Sequence, residues 1–136
     1  MSYQDVKDTL YRGHRKIANN TYLTLRQQHI ATVEEGWTKE EFVEMRLHGN
    51  LVAKFYPDFL QLYSAGWYTN TTKSRLNLAL AIAVNNRLHT YIMVYQTDYQ
   101  WYYGRRNSNI DTMTVTTDVV KFYDGMRINY SGEVIN

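Results

Sequence analysis

The segment Gly66–Ala83, GWYTNTTKSRLNLALAIA, decides how the rest of the chain is read. Leu76, Leu80 and Ala83, flanked by Ala79 and Ile82, recur at helical spacing and form one apolar stripe. The spacing predicts the principal helix over about 71–85, opened by a threonine-rich cap and closed by Asn85-Asn86. On both sides of it the period changes to that of strands. Val43 to Leu47 alternates and the pattern continues through Leu51, Ala53 and Phe55; Pro57-Asp58 turns the chain into Phe59–Tyr63. After the helix, Thr90–Gln96 and Gln100–Tyr103 form a hairpin around Thr97-Asp98, and Gly104–Asn109 reads as polar loop. Thr112–Tyr123 is β-prone and meets Met126–Tyr130 through an Asp124-Gly125 hairpin turn.

Toward the N-terminus, Lys16–Arg26 reads as a hairpin about Asn19-Asn20, with Ile30–Val33 extending the sheet. Ser2, Asp5, Val6 and Leu10 predict a short helix near 2–12, with 1–13 as an N-terminal helical extension. Thr38-Lys39-Glu40-Glu41 has the form of a capping box and predicts another helix near 38–45, or else a surface insertion between strands. The expected fold is therefore α+β. It is a single domain over 1–136, with five to eight antiparallel strands and one principal helix packed on the sheet.

Composition narrows the class of function. The 136 residues are enough for one domain with a real core. With no cysteine, disulfides, thiolate metal sites and cysteine nucleophiles are excluded together. No apolar run reaches the roughly 20 residues that cross a bilayer, so no membrane role is expected. A net charge of +2 is too mild to signal nucleic acid by itself. Thirteen tyrosines against four phenylalanines favour half-buried sheet surfaces, or a face that stacks on a ligand or partner.

Chemistry concentrates at the start of the principal helix. Thr71 or Thr72 can cap it, and Thr69 and Asn77 add polar groups. Lys73 and Arg75 oppose the helix dipole there, at a cost of about 0.3 kcal/mol each unless an anion answers them. A phosphate would do so; pairing with glutamates or solvation would also do so. Trp67 can stack on a base or plug the corner between sheet and helix. Arg46 and His48, two apart, would share a strand face, and Arg15, Lys16 and Asn20 supply donors beside a turn. These twelve residues form the candidate ligand site. His14, His29, His48 and His89 show no metal-binding spacing, and neither a cofactor nor a metal is expected. His48 is the candidate acid or base if the protein is instead a phosphodiester-cleaving enzyme.

The order NTYL at 20–23, RLHG at 46–49 and GWxTxTTKxRxN at 66–77 resembles a family of small proteins encoded by tailed bacteriophages. Val94-Tyr95-Gln96, Trp101-Tyr102 and Asp124-Gly125 extend the likeness over roughly 16–128. The stretch 27–44 is longer than the family's turn, and Pro57-Asp58-Phe59 replaces its Asp-Gly. The resemblance carries no activity with it. It implies a phage protein acting in the bacterial host's cytoplasm. The resulting expectation is a non-enzymatic accessory protein that counters host defence by binding a phosphate-bearing small molecule or nucleic acid. A module that binds a host protein, or forms a homo-oligomer, is the third reading.

Overall fold

A computed structural model describes residues 3–84, 90–109 and 111–135. Helix α1 spans Tyr3–Asp8 and helix α2 Asn70–Val84. Five strands lie between them: β1 (His14–Ala18), β2 (Thr21–Thr32), β3 (Gly36–Leu47), β4 (Asn50–Phe55) and β5 (Phe59–Leu62). Five follow α2: β6 (Thr90–Thr97), β7 (Gln100–Asn109), β8 (Thr114–Lys121), β9 (Met126–Asn129) and β10 (Val134–Ile135). The strands form two antiparallel sheets, one in the order β1-β2-β3-β4-β5-β9-β10 and the other β6-β7-β8. Between the adjacent strands β5 and β9 the chain makes a single excursion that builds α2 and the smaller sheet.

One core joins these layers. Alternation in β3 turns Val43, Met45 and Leu47 inward, where they meet Leu23, Val52, Phe55, Leu60, Leu62, Met126 and Ile128. Leu76, Ala79, Leu80 and Ala83 of α2 cover that face, and α2 also touches β6 of the smaller sheet. The Asn77 side chain donates to the Val94 carbonyl at 2.9 Å and accepts from the Val94 N–H at 2.8 Å. A helix side chain thus supplies β6 with the pairing that an additional strand would give.

The structure alters five expectations. Residues 38–45 are strand, not helix. Twelve consecutive pairs, from Thr21↔Leu47 to Thr32↔Gly36, hold β3 on β2. The elements of the capping box serve other contacts: Thr38 Oγ1 donates to the Ile30 carbonyl at 3.4 Å, and Glu41 accepts from Lys7 and Tyr3 of α1. Cooperative pairing outweighs a local capping signal. The stretch 27–44 is accordingly a long hairpin arm, with Trp37 and Val33 exposed near its tip. Residues 104–109 continue β7 rather than forming a loop, so Arg105 and Arg106 lie on a strand opposite Asp118 and Thr117. Asp124-Gly125 is a crossover between sheets rather than a hairpin turn, because β8 and β9 belong to different sheets. Among the described residues there are also ten strands in two sheets, where one sheet of five to eight was expected. The N-terminal helix is shorter than 2–12, and the expected helix stop at Asn85-Asn86 lies outside the described residues.

Candidate functional site

The principal helix begins at Asn70, one residue earlier than its threonine pair suggests. Thr69, not Thr71 or Thr72, is the cap: its Oγ1 accepts the Thr72 N–H at 3.2 Å, and its carbonyl accepts the Lys73 N–H at 3.0 Å. Thr72 is buried, with its hydroxyl 3.1 Å from that of Thr69. Among the described residues, the amides of Asn70 and Thr71 have no acceptor. They are the open donors of the first turn.

The corner before the helix is set by a buried serine. The Ser64 N–H and Oγ donate to the two carboxylate oxygens of Asp124 at 2.7 and 3.1 Å. Ser64 Oγ in turn accepts from Gly66 N–H at 3.1 Å, and the Ser64 carbonyl from Trp67 N–H at 3.0 Å. Ala65 and Gly66 both take left-handed geometry, with φ of 56° and 78°. The bend leaves the Trp67 ring 60% exposed, and sends Tyr68 back to stack edge-on against Trp101 at 4.9 Å.

Between this corner and the β3–β4 turn lies a pocket of about 400 Å³. Leu47, His48, Asn50 and Val52 form one wall; Ser64, Ala65, Trp67, Thr69, Thr71 and Thr72 form the other. His48 sits in the turn itself, at φ 51°, and not on the strand where sequence spacing would place it. Its imidazole is the one titratable side chain in the lining, which otherwise combines hydroxyls, an amide, an indole and aliphatic groups.

Of the twelve sequence-derived candidates, His48, Trp67, Thr69, Thr71 and Thr72 share this pocket. The other seven do not line it. Arg75 reaches across to the first hairpin, where Nε–H donates to Thr21 Oγ1 at 2.7 Å and the guanidinium to the Asn19 carbonyl at 3.4 Å. Asn20, at φ 53°, gives its carbonyl to the His48 N–H at 2.8 Å. Arg75, Asn19–Thr21 and His48 therefore form a brace behind the pocket. Arg46 donates to Glu44 at 3.0 Å and to the Gly49 carbonyl at 2.8 Å, which steadies the same turn. Asn77 is committed to Val94, Arg15 and Lys16 lie exposed on β1, and Lys73 is half-buried on α2.

Glu44 is buried between two arginines, Arg26 at 2.8 Å and Arg46 at 3.0 Å. Burial works to raise its carboxyl, but hydrogen bonds and charge from both arginines outweigh that and hold it below the usual carboxylate range. Sequence reading missed Ser64, Asn50 and Asp124. The serine adjoins the Gly-Trp corner, but its partner is 60 residues away, a separation that carries no local signal.

Among the described residues, no three histidine or carboxylate side chains gather to hold a metal ion. No helix among them is long and apolar enough to cross a membrane. The site is built on the NTYL, RLHG and GWxTxTTKxRxN segments, and a family model covers all three, matching residues 7–129. The chain belongs to the Kyanoviridae Gp96 protein family. This places it among proteins of tailed bacteriophages, as the segments themselves suggested. No curated protein and no solved structure matches this Gp96-family chain.

Proposed function

We propose that this Gp96-family protein is a non-enzymatic phage accessory protein that binds a phosphate-bearing ligand, a nucleotide signal or a short nucleic acid, in the host cytoplasm. Sequestering such a ligand would counter a host defence that depends on it. The observation that carries the reading is the pocket where the first turn of α2 faces Trp67 and His48. Its volume falls in the range of small-molecule sites. The open amides of Asn70 and Thr71, with the Thr71 hydroxyl, are neutral donors at the positive end of a helix, suited to a phosphate oxygen. Trp67 offers a ring face to a base. Arg46 and Arg75 take no phosphate in this reading, because their guanidinium groups brace the pocket walls. Lys73, two residues beyond Thr71 on the helix, adds favourable charge.

Titration calorimetry with cyclic and linear nucleotides and with short DNA and RNA tests it. Binding is expected, weakened about tenfold or more by Trp67→Ala through lost stacking and reduced by Lys73→Ala. Absence of binding to every probe, or binding that Trp67→Ala leaves unchanged, removes the reading. Product formation on the same probes, abolished by His48→Ala, would instead mark a phosphodiester-cleaving enzyme.

A further inference from the structure

Each sheet ends in strands whose outer peptide groups must be guarded or paired. β1 is five residues long, basic and broken by a register shift between Lys16 and Ala18; β10 has two residues; β6 is covered by Asn77. β8 has none of these protections. It runs eight residues in unbroken register with β7, contains no proline, and is exposed along its whole length. Three threonines and three valines give it high strand propensity, with Asp118 and Lys121 as its charges.

The direction of its free peptide groups follows from one bond. The Phe122 N–H donates to the Trp101 carbonyl at 3.0 Å, just beyond the Tyr102↔Lys121 pair. Peptide groups alternate in direction along a strand, so even-numbered residues of β8 turn toward β7. Val115, Thr117 and Val119 then present N–H and C=O outward.

We propose that β8 pairs antiparallel with β8 of a second copy of this chain, joining two three-stranded sheets into one of six. A two-fold axis perpendicular to the sheet places residues of the same face opposite each other, so the axis must pass through a single residue. With Thr117 on the axis, Val115 of each copy meets Val119 of the other, Thr114 meets Val120, and Thr116 meets Asp118. Every outward donor then meets an outward acceptor, and two valine pairs flank the axis. Shifting the axis by one residue sets Asp118 against Asp118, a like-charge pair that rejects that register. With no like charges opposed in this register, the strand is thus matched to itself in face, apolar pairing and hydrogen bonding, which favours a second copy over an unrelated partner.

Sedimentation equilibrium of the full chain is the test. A concentration-dependent dimer is expected, with amide exchange at Val115, Thr117 and Val119 slowing as protein concentration rises. Thr117→Pro removes an outward N–H that the monomer does not use, at an edge position where proline is tolerated. Thr117→Arg places like charges on the axis without touching the backbone. Each should weaken dimerisation about a hundredfold while circular dichroism stays that of the wild type. A wild-type chain that remains monomeric at about 1 mM would overturn the proposal. So would a dimer whose dissociation constant Thr117→Arg leaves within about twofold, or one in which those three amides exchange independently of concentration.

Discussion

Lys73 and Arg75 have the same sign and stand two residues apart on one helix, yet the structure uses them differently. Arg75 was conspicuous in the sequence because a cation near a helix start opposes the dipole. Its guanidinium finds two acceptors on the first hairpin, and those contacts supply the local compensation that an anion was expected to supply. Lys73 has no such contact among the described residues. Replacing Arg75 by alanine should cost about 1–2 kcal/mol, read by urea denaturation, because the charged hydrogen bonds it loses are partly exposed. Lysine at that position should not restore stability, since an ammonium cannot span both acceptors as the planar fork does. If Arg75→Ala is as stable as wild type, the brace has no energetic weight.

The arm made of β2 and β3 is where local sequence signals and element formation disagree. Thr38 to Glu41 carries helix-start chemistry, and Val43 to Leu47 carries strand period. The strand prevails because β2 offers twelve consecutive backbone pairs, and because Val43, Met45 and Leu47 enter the core only in that register. On the opposite face, Glu44 ties Arg26 of β2 to Arg46 of β3. Its carboxyl is held below the ordinary range in the folded state, so this contribution is fully present above that range and disappears as pH falls through the depressed value. Glu44→Gln should therefore be less stable than wild type near pH 7, by about 1 kcal/mol given the half-exposed arginine heads. The gap should close toward pH 3. A gap that persists at low pH would assign the effect to packing rather than ionisation. The principal helix, by contrast, was legible almost to its ends, since its stripe of Leu76, Ala79, Leu80 and Ala83 needs no distant partner to be recognised.

At the scale of the whole molecule, the pocket depends on a junction between distant segments. Asp124 lies in the crossover that leaves the smaller sheet and returns to β9, and its carboxylate holds both polar groups of Ser64. Asp124→Ala should destabilise the fold by about 2 kcal/mol, because it strands a buried N–H and weakens a buried hydroxyl's pairing. It should also loosen the Ala65-Gly66 bend, so that the fluorescence of Trp67 shifts before global unfolding as temperature rises. A variant in which the two transitions coincide, as in the wild type, would show that the corner holds without its carboxylate. Features set by short-range physics are written in the residue order: the helix stripe, the turns at Asn20, Gly49 and Pro57, and the gathering of threonines and tryptophan at the helix start. The same order also carries enough pattern to reveal the phage family. The assembled fold alone sets the division into two sheets, the use of Arg46 and Arg75 to brace rather than line the pocket and of Asn77 to hold β6, and the placing of His48 and Trp67 on opposite walls. Those outcomes depend on pairing and hydrogen bonds between residues far apart in the chain, whose free energy appears only once the core has brought them together.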